Sequence, residues 1–278
     1  MVITAKTPGI KKGNDGRYTY NKDLQPRDGL KVDLDGTLYV RGVVNVIGDI
    51  TCQYGLHATK TISATGSIEV SNGSIQTDGK IHAREDIRVE QSVVAEQDIE
   101  AERIIVGGRI TSAYGKVLVN ISIFAKGYIN AYNDIIATRG CIQAGNYITS
   151  RQGGIYACEE ILARREVSAG GDIEVQQGNF NAKGPVVAGK NIKVNGRLHS
   201  KMGIESGGRI EANSINTEWG IKANETITVQ GEIYAGTRIF AGLNLAHDEK
   251  VAKKTIQCAK IKGHIGYGTL VLTKGQQV

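Results

Sequence analysis

The feature that most constrains this chain is a six-residue beat. Gly66-Ser67-Ile68-Glu69-Val70, Gln97-Asp98-Ile99-Glu100-Ala101, Gly171-Asp172-Ile173-Glu174-Val175 and Gly208-Arg209-Ile210-Glu211-Ala212 share one grammar. Each has a large aliphatic residue, a variable one and a small apolar one, followed by about three turn formers. Units of this kind run from Val32 to Leu245, 36 in all. The period matches neither a helix, at about 3.6 residues, nor a heptad seam, at about 3.5. It matches a short strand followed by a bend. In a strand, residues i and i+2 share a face, so Ile68 and Val70 point one way and Glu69 the other. Gly, Asn and Asp between units supply the bends.

Three units make a coil of about 18 residues that closes a triangle, and stacked triangles bury a continuous core. The sequence therefore predicts an all-β fold: a single-stranded, three-sided β-solenoid, or parallel β-helix, of about 12 coils of ~18 residues. Its three inward columns run from Val32 through Ile50, Ile68, Ile87, Ile105 and Ile123 to Ile233, from Leu38 to Ile239, and from Val44 to Leu245. β-Branched side chains pack well on such surfaces, and small partners such as Ala64, Ala83 and Ala131 leave room for them near the corners. Residues 32–249 are assigned to the solenoid. Residues 1–31 are read as an N-terminal tail or irregular cap, and 250–278 as a basic, partly apolar C-terminal cap or tail. Ile256, Ile261, Ile265, Tyr267, Leu270 and Val271 are the candidate end cap, because an open coil exposes strand edges and core.

Composition narrows the function classes. The 36 glycines follow no Gly-X-Y period, which excludes collagen. No apolar run approaches the ~18 residues of a membrane span. Residues 1–12 lack an apolar signal-peptide core. The four cysteines form no Cys-x-x-Cys and read as reduced thiols. These features point to the cytoplasm, with a phage particle or a non-classically exported assembly as the alternative. The net charge of +6 sits at the ends: residues 250–278 carry six lysines and no acid. Basic ends without basic–aromatic interleaving do not predict a nucleic-acid partner.

No constellation for chemistry emerges. His57, His82 and His199 take outward slots on the second, third and first columns, so they share no metal or substrate. His247, beside Asp248 and Glu249, reads as a disrupted end coil. Gly107-Gly108, Gly153-Gly154, Gly170-Gly171 and Gly207-Gly208 open no helix and are expected to be corner glycines at positive φ. Cys52 falls in a core slot, and no histidine activates Cys141 or Cys158. No catalytic, cofactor or metal residue is assigned, and an enzyme is not expected. The candidate interaction surface is a set of outward apolar residues: Val106 and Phe124 on the first face, and Leu118, Ile136 and Tyr156 on the third.

The cadence Gly-Asp-Ile-x-Ala/Val, seen at Gly171-Asp172-Ile173-Glu174-Val175 and, with Glu for Asp, at Gly231-Glu232-Ile233-Tyr234-Ala235, resembles bactofilins and related polymer-forming bacterial repeat proteins over roughly residues 32–245. The resemblance implies a right-handed helix, no cofactor and end-to-end assembly. The apolar C-terminal segment departs from the open ends of that family. The expected function is a non-enzymatic structural scaffold that self-associates. Its partner is itself, as homo-oligomer or filament, or another structural protein. The alternative is a binding or delivery module, such as a phage tail or secretion-spike component recognising a receptor, which Gly36-Thr37-Leu38-Tyr39-Val40 would suit. Hexapeptide-repeat acyltransferases also use six-residue units, but place the small residue four positions on, so their left-handed fold is disfavoured.

Overall fold

The computed structural model describes residues 1–243 and 255–273. They form 38 strands and no helix. Most strands are three residues long. Each pairs in parallel with the strands three before and three after it, as when Ile68 aligns with Ile50 and with Ile87. That spacing makes a three-sided parallel β-solenoid of about 14 turns of ~18 residues, more than the twelve read from the sequence. The chain divides into two compact units, Met1–Thr138 and Arg139–Val278.

In the first unit the second column stacks Leu38, Leu56, Ile75, Val93, Ile110 and Ile129, as expected. The third stacks Val44, Ile62, Ile81, Ile99, Val117 and Ile135. All twelve side chains are fully buried, and each contributes about 1.5–3 kcal/mol against exposure. The first column needs two corrections. It begins at Leu30, which aligns with Ile50, while Val32 aligns with Cys52. Further along, Ile104 rather than Ile105 aligns with Ile87 and Ile123. The strand Arg103–Val106 offers two alternations, and a one-residue slip exchanges the faces. Ile104 with Val106 fills the interior, whereas Ile105 would bring Gly107, which has no side chain to bury.

Residues 1–31 add a coil of their own. Val2–Ile3 lies on Leu30–Val32, and Tyr18–Tyr20 lies on Leu38–Val40. Leu24 bridges to Val44. Ile3, Tyr18 and Leu24, one per side, are buried. Between the first two sides, Ile10–Lys12 folds back antiparallel on Tyr18–Tyr20, turning at Gly16 with φ +77°. The hairpin takes up the outer edge of Tyr18–Tyr20. Asp35 ties it down, accepting hydrogen bonds from the Tyr18 hydroxyl and, at 2.9 Å, from Lys12 Nζ.

In the second unit the columns run Ile142–Ile161–Phe180–Leu198–Ile215–Ile233, Ile148–Val167–Val186–Ile204–Ile221–Ile239 and Ile155–Ile173–Ile192–Ile210–Ile227. From Ile192 on, two sides of each coil merge into long strands such as Ile192–Ser200 and Ile210–Thr217, with a register shift between Val194 and Arg197. The third column then passes to Ile256. Leu245, the expected position, and His247 lie outside the described residues, as does part of the segment 250–278.

The candidate cap is itself wound into the solenoid. Ile256–Cys258, Lys260–Tyr267 and Leu270–Leu272 continue in parallel. Ile261 aligns with Ile233, Ile265 with Ile239, and Leu270 with Ile256. Val271 takes the outward slot opposite Gln257, and Tyr267 lies opposite Phe240. A coil laid on a coil moves the open edge outward instead of closing it. Ile256 is buried, but Ile261, Ile265 and Leu270 are half-exposed and Leu272 is 59% exposed.

The corners account for the repeat's spelling. The residue before each inward aliphatic is often Asp or Asn, and its side chain accepts the N–H of the equivalent residue one coil on. Asp49 Oδ1 takes Ser67 N at 2.8 Å, Asp98 Oδ1 takes Lys116 N at 3.0 Å, and Asn179 Oδ1 takes Arg197 N at 2.9 Å. Inward hydroxyls are satisfied too: Ser112 and Ser206 each donate at 2.6 Å to a backbone carbonyl, of Gln97 and Lys190. The corner glycines require a different reason from the one expected. Gly107, Gly170 and Gly207 are not among the residues at positive φ. Instead the backbones stack too closely for a side chain: a Cβ on Gly107 would lie 1.9 Å from the Glu90 carbonyl oxygen, and one on Gly207 2.0 Å from that of Gly189.

Candidate interaction surfaces

The outward row on the first side of the first unit reads Arg88, Ile105, Phe124. On the third side it reads Glu100, Leu118, Ile136. Two apolar pairs therefore exist, Ile105 with Phe124 and Leu118 with Ile136, on separate sides. Val106, expected outward, is inward and 2% exposed, because the slip in Arg103–Val106 reverses that strand. Ile105, 38% exposed, takes its place; the glycine at 107 was the signal for it. Tyr156 belongs to the second unit, where it aligns with Glu174. Each pair is small beside the apolar patches that mark docking sites.

Around the apolar pair on the third side lies a charge ladder. Glu100 stands 3.6 Å from His82 and 3.5 Å from Lys116, and Asp98 3.2 Å from Lys80. Burial alone would raise the Asp98 carboxyl, but the Lys116 amide and the Lys80 ammonium outweigh it and hold it below the usual carboxylate value. Such exposed pairs fix side-chain positions more than they stabilise.

Burial pushes the Cys52 thiol up to about 12 and raises Cys258 as well, so neither supplies a thiolate near neutrality. The four cysteines form no disulfide. No group of three or more His, Cys, Asp or Glu among the described residues could hold a metal ion. No helix among them is long and apolar enough to cross a membrane.

Two features remain. One is the coil end at Ile261, Ile265, Leu270 and Leu272. The other is a groove of about 560 Å³ on the second side of the first unit, over Tyr39, His57 and Gln76. No protein-family model, curated protein or solved structure matches the chain.

Proposed function

We propose that this protein is a non-enzymatic structural scaffold that self-associates through the open end of its last described coil. The half-exposed row Ile261, Ile265, Leu270 carries the reading. It offers one strand edge per side together with a slice of aliphatic core, and such an edge is a template for another strand. At the first coil the hairpin Ile10–Tyr20 takes up the outer edge of one side, Tyr18–Tyr20, and Ile3, Tyr18 and Leu24 are buried. The proposed contact is between like ends. Two copies related by a two-fold axis would pair their edges antiparallel, an isologous contact that closes at a dimer.

Charge does not forbid the contact. Lys260 is neutralised by Glu232 at 3.0 Å, and Lys262 lies 5.3 Å from the centre of the Tyr234 ring. Both point away from the end, and the remaining repulsion is screened within about 8 Å at physiological salt. The thiols free of disulfides agree with a scaffold in a reducing compartment, and the reading departs from the end-to-end growth that the repeat resemblance implies.

Sedimentation velocity across a concentration series tests this. The full chain should pass from monomer to dimer as concentration rises, and the double variant Leu270→Lys/Leu272→Lys should stay monomeric with an unchanged far-ultraviolet spectrum. A chain that stays monomeric throughout, or one that grows into filaments, would overturn the proposal.

A further inference from the structure

The groove on the second side is built by three parallel rows. Its inner bank is the outward row Tyr39, His57, Gln76, in register on successive coils. Its outer bank is the corner row Tyr54, Asn72, Gln91. Between them runs a glycine row, Gly36, Gly55 and Gly73. Those glycines have no room for a side chain. A Cβ on Gly55 would lie 2.9 Å from Thr37 Oγ1, and one on Gly73 2.5 Å from Gly55 N. The stacking of backbones that packs the corner therefore also hollows out the floor.

The inner bank is held in place. The His57 ring meets Tyr39 edge-on, with centroids 4.5 Å apart and planes at 75°. Asp78 Oδ1 lies 3.8 Å from His57 Nε2. Burial lowers the affinity of His57 for a proton; Asp78 partly restores it and Arg17 lowers it further. The imidazole is thus neutral at neutral pH. The lining contains no carboxylate, and its only fixed charge is Arg17, which sits 3.6 Å from Asp15. Asn72, Gln76 and Gln91 are exposed, and Gln91 Oε1 accepts from the Ser74 hydroxyl at 3.5 Å.

The geometry points to a binding site for a neutral oligosaccharide in this groove. Sugar rings present an apolar face to aromatic rings and a rim of hydroxyls that donate and accept at once. The two tyrosines supply the first surface. Asn72, Gln76 and Gln91 supply matching donors and acceptors, since each amide does both. The volume falls within the roughly 300–1,000 Å³ of small-ligand sites, and the open, elongated form suits a chain of rings better than a compact metabolite. An anionic ligand would be served by one cation already shared with Asp15. A peptide strand would find no unpaired edge here, because every strand beneath the groove is paired on both sides. The site is independent of the self-association proposed above and lies wholly within residues 17–91.

The test is an array of immobilised neutral, sialylated and sulfated oligosaccharides probed with the full chain, followed by calorimetric titration with the best-retained free sugar. Tyr54→Ala and Gln76→Ala, both on the surface, serve as variants, with the melting temperature as a control for folding. Retention of a neutral sugar, with at least a tenfold loss of affinity in both variants and unchanged melting, is the expected result. Retention of no sugar would overturn the proposal. So would retention of acidic sugars alone, or of neutral sugars equally well by both variants.

Discussion

Ile68 and Glu69 are joined by one peptide bond and live in opposite environments. Ile68 is fully buried between Ile50 and Ile87, whereas Glu69 is exposed between Thr51 and Arg88. A carboxylate at position 68 would lose its hydration with no partner to replace it, a cost of several kcal/mol. Ile68→Asp is therefore expected to abolish cooperative thermal unfolding or lower its midpoint by many degrees, while Glu69→Gln should leave it within a degree or two. Equal midpoints in a calorimetric scan of the two variants would refute the inward assignment. At this scale the sequence was legible wherever an aliphatic residue had a small apolar partner two positions on. It misled where two aliphatics were adjacent: Ile104 and Ile105 both fit the beat, and only the empty Gly107 decides between them. Val106 changed sides as a consequence.

The corner is the element on which coil spacing depends. A methyl group on Gly107 would press on the Glu90 carbonyl and force two backbones apart. Gly203 occupies a corner where the nearest atom to a new Cβ is 3.6 Å away, and its φ is not positive. Gly107→Ala should cost about 1–3 kcal/mol, as overpacking does, whereas Gly203→Ala should be neutral or stabilise by up to about 1 kcal/mol through the unfolded chain. Urea titration of both variants checks the pair; a Gly107→Ala protein as stable as the parent would remove the close-stacking account. The sequence marked these glycines as corners but assigned them the wrong cause, because a residue string carries φ and proximity under the same letter. The N-terminal coil was illegible for a different reason. Its ladder residues Ile3, Tyr18 and Leu24 are spaced by a hairpin insertion that erases the six-residue period. The C-terminal coil kept its aliphatics but lost the small partners, so it read as a cover and not as a continuation. The groove was invisible in one dimension: its banks come from residues about 18 apart, and each alone looks like an ordinary exposed polar or aromatic residue.

In the assembly proposed above, the coil ends would set how far association goes. There the hairpin would deny the Tyr18–Tyr20 edge to another copy, as edge-protecting devices commonly do. Removing residues 7–15 and joining Lys6 to Gly16 would leave Ile3 and Tyr18 six residues apart, as Val32 and Leu38 are one coil on, and would bare the Tyr18–Tyr20 edge. Each copy would then carry two open ends, and the expected product is a filament, seen by electron microscopy and as rising light scattering that persists in high salt. A truncated protein that folds and stays the size of the parent would show that the hairpin does not limit growth. The device is local in charge as well as in shape. Hydrogen bonds from Tyr18, then Lys12, hold the Asp35 carboxyl below its usual value, so the tie survives mild acid and loosens only below the ordinary carboxylate range.

The hairpin coil also precedes the coils stacked on it in the chain, and this has a consequence for biosynthesis. A ribosome releases the hairpin and its coil before any residue that stacks on them. Most following strands pair with one finished about 18 residues earlier, so most loops to be closed are short and their entropic cost small. Parallel pairing is slow when partners are distant in sequence; here the partner is mostly the segment just completed. At roughly 5–20 residues per second, a new coil leaves the ribosome every one to four seconds and meets a ready template. Translation would thus lay the described coils down as a crystal grows, each templating the next, with the growing face always the newest.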